Sequence, residues 1–214
     1  MRVAVNILSA AKIYAPKKIE DLEEKRIVPK MMLRRRLTRN AKIMLYIADK
    51  CGFSGGKVVY ASAFGELQST VGITDAINNA SPISPTLFQN SVYNSAPSYF
   101  SLLNADKDEI ITLSNGDKSS LDAIKTAALQ SLVSGEKVLC VASECLDIER
   151  IDEVNNCTKY LESGAGVVLE IAKDEDGAVE LEKSCEEELP NSIKELVSLV
   201  NMSQTKMTKV YIEL

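Results

Sequence analysis

Short apolar runs rich in β-branched residues alternate along this chain with segments of helical period, and no other sequence feature restricts the fold as much. The runs occupy residues 57–62 (KVVYAS), 108–114 (DEIITLS) and 137–142 (KVLCVA). Between them, apolar residues spaced by three and four predict helices over residues 67–78 and 119–134, the second ended by Gly135. This series predicts an α/β protein with helices on both faces of a mixed, mostly parallel sheet.

The N-terminal half adds a strand and further helices. Alternation over residues 3–7, with Ile13 after a short break, predicts a first strand. A single helical face is predicted for Leu33, Leu37, Ala41, Met44 and Ala48. Pro97 interrupts residues 86–103 and predicts two short helices or one kinked helix, with Ser84 as the first cap. The inward face of the 119–134 helix is predicted to be Leu121, Ile124, Ala128 and Leu132.

The C-terminal part predicts three strands and a helix. Residues 164–172 and 179–183 flank a turn signal and are expected to pair as a hairpin. An amphipathic helix over residues 191–202 and a last strand over residues 209–213 follow. Because no internal repeat or low-complexity linker divides the series, residues 1–214 are expected to form one domain.

The chain has 214 residues and no histidine, which excludes several kinds of catalysis. Ser-His-Asp and Cys-His sites, HExxH metal sites and His-ligated zinc or haem all require that residue. The phosphate-binding patterns GxGxxG and GxxxxGK[ST] are also missing, so no nucleotide is expected. We expect neither a cofactor nor a metal site, because the cysteines show no ligand spacing. They are Cys51, Cys140, Cys145, Cys157 and Cys185.

An odd number of dispersed cysteines is typical of a reducing compartment. Residues 1–16 lack the apolar core of a signal peptide, and no stretch approaches 18 apolar residues. A cytoplasmic protein without a membrane span is therefore expected.

The net charge of −5 argues against a dedicated nucleic-acid binder. One basic block nevertheless stands out, consisting of Lys30, Arg34, Arg35, Arg36, Arg39 and Lys42. It is either a solvated helix face or a surface that meets an acidic partner. Because successive helical residues point in different directions, at least one of these arginines should snorkel or pair with an acid.

Three segments taken together resemble a known family. Residues 59–67 (VYASAFGEL) are similar to a strand-to-helix segment near the start of β-ketoacyl synthases, and residues 84–94 (SPTLFQNSVYN) to the segment leading into their dimer interface. Residues 112–136 resemble their nucleophile turn and the central helix after it. The pattern is closest to the ketoacyl-synthase-like N-terminal domain family, which includes chain-length-factor-like partners in aryl-polyene and related lipid pathways. The resemblance covers residues 30–145 and implies one half of a thiolase-like fold.

The resemblance fails at the catalytic positions. Active members carry a cysteine at the start of the central helix, where the helix lowers the thiol pKa and supplies amide donors for an oxyanion. Here Asp117 occupies that position, in a turn with Asn115 and Gly116, and a shift of one residue would bring Gly116 or Lys118 instead. The two family histidines come from a second half that is missing here. Asp117 is either a helix cap or first-turn residue, or a polar plug or acid in a remnant acyl pocket.

The resemblance therefore implies a non-catalytic subunit, inactive alone, that partners a condensing enzyme or itself as a dimer in fatty-acid, polyene or polyketide-type biosynthesis. The interface candidates are Ser84, Phe88, Val92, Tyr93 and Asn94. One alternative is a transferase that acts on acyl-carrier-protein or coenzyme-A thioesters without Cys or His, and another is an unrelated binding or scaffold protein. Candidates for docking an acidic carrier protein are Arg34, Arg35 and Arg39.

Overall fold

The computed structural model describes residues 1–149, 158–182, 188–204 and 209–214. Within these ranges seven strands form a single sheet. The strands are β1 (Arg2–Ala15), β2 (Val58–Ala61), β3 (Ile110–Leu113), β4 (Val138–Cys145), β5 (Glu162–Ile171), β6 (Val179–Glu180) and β7 (Lys209–Glu213). Their order in the sheet is β3-β2-β4-β5-β1-β7-β6.

Helices cover both faces of this sheet, and the predicted α/β class is confirmed. They are α1 (Glu24–Ile27), α2 (Met31–Arg34), α3 (Arg39–Lys50), α4 (Leu67–Asn78), α5 (Pro85–Asn90), α6 (Ser95–Asn104), α7 (Ser119–Ser134) and α8 (Asn191–Gln204). One apolar core lies between the sheet and α7 with α8, and the other lies between the sheet and α3 with α6. In the described part of the chain, no helix has the length and apolar character needed to cross a membrane.

The sheet is mixed, as predicted, but it is not mostly parallel: in the described part of the chain three of the six strand pairings are antiparallel, and these are the longer ones. Strands β2, β3 and β4 are parallel neighbours, and β5 runs antiparallel to both β4 and β1. Strands β1 to β4 therefore share one direction. All eight residues of β4 are buried, with Cys140 and Ala142 in the core below α7 and Leu139 and Val141 in the core below α3. Burial on both faces explains why this strand is almost continuously apolar in sequence.

The predicted hairpin between residues 164–172 and 179–183 is wrong. Strand β6 pairs in parallel with β7, whereas β5 lies between β4 and β1. The turn signal is real, since Gly177 has a φ of 74°. Strand β1 has fourteen residues and pairs with all ten residues of β5. Strand β6 has two residues and could form only a much shorter set of backbone hydrogen bonds with β5.

The single helix predicted from residue 31 onward is also wrong. Helix α2 ends at Arg34, and α3 begins only at Arg39. Thr38 separates them with an extended backbone, and its hydroxyl accepts a hydrogen bond from the Ala41 amide at 3.1 Å. A side-chain cap of this kind marks the start of a new helix. The helical spacing of apolar residues therefore continues in the sequence although the chain leaves the helical conformation between α2 and α3.

Two further helix predictions require correction in detail. The break in residues 86–103 falls between α5 and α6, and Pro97 lies in the first turn of α6. Ser84 occupies the cap position of α5 but makes no side-chain capping hydrogen bond. The inward face of α7 consists mainly of small residues, and Leu132 is 39% exposed. Small side chains bring α7 close to the sheet.

Candidate functional site

The turn that holds Asp117 follows β3 and consists of a short 3₁₀ helix, Gly116–Lys118, before α7. Asp117 is exposed, and its carboxylate accepts a hydrogen bond from the Asn191 side chain at 3.1 Å. It therefore links the turn to the start of α8 and makes no capping hydrogen bond to α7. The buried Ser119 hydroxyl closes the turn, because it accepts from the Asn115 amide at 3.0 Å and donates to the Gly116 carbonyl at 2.7 Å.

Glu144, at the end of β4, is fully buried and organises the loop that follows β2. Its carboxylate accepts hydrogen bonds from the Ser62 hydroxyl at 2.8 Å, the Ala63 amide at 2.6 Å and the Ser192 hydroxyl at 2.7 Å. Burial raises the pKa of Glu144, and these hydrogen bonds oppose the rise. One carboxyl group thus joins three elements: β4, the loop after β2 and the start of α8.

Glu162, at the start of β5, is the second buried carboxylate, and Arg39 is its partner. The guanidinium binds it through two hydrogen bonds, Nε to Oε1 at 2.7 Å and Nη2 to Oε2 at 2.5 Å. The Ile19 amide adds a hydrogen bond to Oε2 at 2.7 Å. Burial lowers the pKa of Arg39, but the hydrogen bonds and charge of Glu162, with smaller contributions from Cys145 and Glu24, outweigh burial and raise it. The predicted docking arginine is therefore an internal structural residue.

Glu66 is the third acid with a buried side chain, and it precedes α4. Thr38 donates its hydroxyl hydrogen to the Glu66 carboxyl at 2.7 Å. Burial raises the pKa of Glu66 to about 7, although hydrogen bonds from Thr38 and Asn40 lower it. Sequence reasoning missed all three acids. The signal that could have indicated Glu144 was a lone acid within an apolar run.

The described thiols are not prepared for nucleophilic attack. Cys140 and Cys145 lie in β4, and burial raises both pKa values, for Cys145 with help from the nearby Glu162 charge. Burial also raises the pKa of Cys51 to about 11. A thiol is reactive as its thiolate, which these environments disfavour. Cys157 and Cys185 lie outside the described residues, and within the described ranges no three acids or cysteines are grouped to hold a metal ion.

Residues 66–94, here called the arm, carry the most conspicuous apolar surface. Helices α4 and α5 pack on each other where Leu87 meets Gly72, yet Ser69 is the one buried residue of α4. The large exposed apolar residues of the arm are Ile77, Ile83, Phe88, Val92 and Tyr93. All five predicted interface residues are exposed and belong to the arm: Ser84, Phe88, Val92, Tyr93 and Asn94. Exposed apolar patches are common at protein–protein, membrane and ligand-binding surfaces, so this exposure is compatible with the predicted interface, which stays a prediction.

The basic block divides into internal and external arginines. Arg34 donates to the Val28 carbonyl at 2.8 Å, while Arg35 and Arg36 are exposed and form no ion pair within the described part of the chain. Met31 and Met32 lie beside them and are 51% and 73% exposed. The outward surface is therefore an apolar patch with two cationic neighbours.

The family model described as "Beta-ketoacyl synthase, N-terminal domain" matches residues 10–209. No curated protein matches the chain. A solved ketosynthase in complex with its chain length factor, from Xenorhabdus doucetiae, is similar with a TM-score of 0.70 and 22% identity over 92% of each chain.

Two further solved structures are similar at lower identity. One is a type II PKS acyl-carrier protein in complex with its ketosynthase bound to the hexaketide, with a TM-score of 0.61, 16% identity and 80% of this chain covered. The other is the ishigamide ketosynthase/chain length factor, with a TM-score of 0.58, 12% identity and 81% covered. This chain spans 63% of the matched chain in each case. At these identities the likeness establishes the fold, which is thiolase-like.

Proposed function

Since the chain belongs to the β-ketoacyl synthase N-terminal domain family, we propose that it is a non-catalytic subunit that partners a ketosynthase, as a chain length factor does. The product class is a fatty-acid, polyene or polyketide-type acyl chain. Residues 1–214 act in this proposal as one domain, in a reducing cytoplasmic compartment that suits the free thiols of Cys51, Cys140 and Cys145.

The absence of a cysteine from the turn before α7 supports the non-catalytic part of this proposal. The turn before α7 carries an exposed Asp117 where active relatives are expected to carry cysteine. A carboxylate there forms no thioester, and the chain contains no histidine to activate another group. The buried thiols of β4 have raised pKa values and lie within the sheet.

The exposed apolar arm is the observation that carries the proposed partnership. Phe88 is 69% exposed and Val92 is 50% exposed, on two successive segments of the same arm. Strand β3 lies at the edge of the sheet, with β2 as its neighbour on one side. Large exposed apolar residues and an open sheet edge are each features that association with a second subunit would cover.

Co-expression with a ketosynthase encoded in the same genome tests the proposal. We expect a complex whose mass in light scattering equals one copy of each chain, and condensing activity that depends on both. Each chain expressed separately serves as the control. A stable homodimer that does not bind the synthase would support self-association instead. A monodisperse monomer at high concentration that binds no synthase would contradict both the heterodimer and the homodimer.

The patch formed by Met31, Met32, Arg35 and Arg36 favours a second role, in docking an acidic acyl carrier protein. Exposed cations speed encounter with an acidic partner, and flexible methionines adapt to its apolar side chains. Arg34 and Arg39 contribute little, because they already bind groups of their own chain.

Reversal of charge at Arg35 and Arg36 together is expected to weaken carrier-protein binding by about tenfold or more at low salt, since rim charges steer association. The loss should shrink as salt is raised. Calorimetric titration of the carrier protein into the complex measures it. Lys107→Glu combined with Lys173→Glu, at two other exposed cations, is the matched control, because it changes the net charge by the same amount. Equal affinity of the arginine double variant and the control would refute docking at this patch.

A further inference from the structure

The two surfaces described above, the arm and the patch at α2, meet at the backbone of Arg36. The Arg36 amide donates to the Leu33 carbonyl of α2 at 2.9 Å, so this residue continues the last turn of that helix. The Arg36 carbonyl accepts hydrogen bonds from the Tyr99 hydroxyl of α6 at 2.9 Å and from the Asn90 side chain of α5 at 3.4 Å. One peptide group therefore joins the patch to the arm and to α6.

The Tyr99 hydroxyl lies at the centre of this contact. It is 3.0 Å from the side-chain oxygen of Asn90 and 2.9 Å from the carbonyl of Arg36, so its single hydrogen serves two acceptors. The Tyr99 ring packs against the core between the sheet and α3 with α6. Phe100, the next residue, is 1% exposed, so α6 holds this hydroxyl in a fixed place between the two segments.

Helix α5 meets the rest of the protein through Asn90. The helix has six residues, and Asn90, which is 8% exposed, is its one buried residue. A second polar contact with α6 is long, from the Ser95 hydroxyl to the Gln89 carbonyl at 3.5 Å. Phe88, which is 69% exposed, lies on the same short helix. A partner that covers Phe88 therefore limits the motion of Asn90 as well.

In the described residues, helix α2 has few other contacts that fix its C-terminal end. It has four residues, none of them buried, and no side-chain cap. Helices this short are marginal without tertiary contacts. Arg34 donates to the carbonyls of Val28 and Pro29, which precede α2 and do not attach it to α5 or α6. The turn at Arg36 also borders a surface cavity of about 470 Å³, which is lined by Lys30, Met31, Met32, Leu33 and Arg36.

We propose that Tyr99 is a positioning residue that couples the arm to the patch, so that a ketosynthase bound on the arm increases the affinity of the patch for an acidic carrier protein. The two states are α2 with its last turn held at Tyr99 and α2 with that turn frayed. The identity of the two partners rests on the proposed function, whereas the link between the two segments does not. Because coupling between sites is reciprocal, the carrier protein must increase the affinity for the ketosynthase by the same factor.

Titrations in both directions test the proposal. The carrier protein is titrated into the free chain and into the complex with the ketosynthase, and the ketosynthase is titrated with and without carrier protein. Tyr99→Phe removes the hydroxyl and keeps the ring, so the gain in affinity should fall by about fivefold or more, equally in both directions. Contacts between the ketosynthase and the carrier protein are the same in wild type and variant, and they cancel in this comparison.

A matched variant separates coupling from a loss of structure. Tyr46→Phe, at another half-buried tyrosine on the same core, should keep the gain of the wild type. A contact that only stabilised the fold would weaken each binding step by itself and leave the gain unchanged. A wild-type chain without any gain, or a Tyr99→Phe chain with the full gain, would overturn the proposal.

Hydrogen exchange of the free chain tests the link without either partner. The amides of Arg36 and Ser91 each donate to a carbonyl of their own segment, at 2.9 Å and 3.2 Å, and so report opening of α2 and α5. Asn90→Ala should speed exchange of the Arg36 amide by about threefold or more, because a change in the arm reaches α2 through the lost hydrogen bond. If Asn90→Ala affected Ser91 alone, the link would be refuted. A linked chain that binds no ketosynthase would contradict the proposed function and leave the link standing.

Discussion

Arg39→Ala is expected to lower the free energy of unfolding by about 3–5 kcal/mol, because it leaves the carboxylate of Glu162 buried without a counter-ion and with only the Ile19 amide as a described hydrogen-bond donor. Glu162 is 1% exposed, and Arg39 supplies two of its hydrogen bonds. The same guanidinium also donates to the Ile19 carbonyl at 3.0 Å, so the segment after β1 should loosen too. Urea denaturation followed by circular dichroism measures the loss as a lower transition midpoint.

Two controls separate this effect from loss of charge in general. Arg2→Ala removes an ion pair with Glu180 whose side chains are 47% and 68% exposed, so its effect should stay within about 1 kcal/mol. The double replacement Arg39→Met with Glu162→Leu should recover much of the stability, because neither buried charge remains. If Arg39→Ala cost no more than Arg2→Ala, Glu162 would have to reach water, contrary to its burial in this structure.

Elements marked by local signals could be predicted closely from the sequence. The helix predicted over residues 67–78 matches α4 at both ends, and that over 119–134 matches α7 with Gly135 in the left-handed conformation after it. The strand predicted over residues 209–213 is also confirmed. In each case the information lies in the periodicity and ends of one segment, which neighbours along the chain determine.

Features that depend on distant segments could not be predicted in the same way. One partner of β5 is β1, about 150 residues away in sequence, so the turn at Gly177 does not indicate the strand with which β5 pairs. A Cβ at Gly164 would overlap the Ile43 side chain, and Gly166 would place one 2.6 Å from Ile47 Cγ2. These glycines therefore allow α3 to approach β5, a requirement that is invisible in the strand pattern alone.

The candidate site shows the same division between local and distant information. The predicted interface residues lie in one continuous stretch of the sequence, and the exposure of Phe88 and Val92 is compatible with their predicted role. Arg39, in contrast, belongs by sequence to a basic block but by structure to the buried pair with Glu162. A run of positive charges in the sequence suggests an exposed surface. The residue that pairs with Arg39 is Glu162, which lies 123 residues further along the chain and cannot be identified from the basic block.

Phe88→Asp is expected to abolish partner binding without loss of the fold. Phe88 is 69% exposed in the free chain, so a charge there should change stability by about 0.5 kcal/mol or less. In the complex the same charge would enter a desolvated apolar contact, where aromatic anchors dominate affinity. We expect the dissociation constant for the ketosynthase to rise by about 100-fold or more, which corresponds to roughly 2.7 kcal/mol.

The second apolar surface of the chain provides the matched control. Val133, near the end of α7, is 79% exposed and lies outside the arm. Val133→Asp should leave affinity within about threefold of the wild type if the arm is the interface, and surface plasmon resonance on immobilised ketosynthase compares the two variants directly. If Val133→Asp abolished binding while Phe88→Asp did not, the outer face of α7 would be the interface. Because both substitutions introduce one negative charge at an exposed apolar residue, the difference between them reports which face is covered.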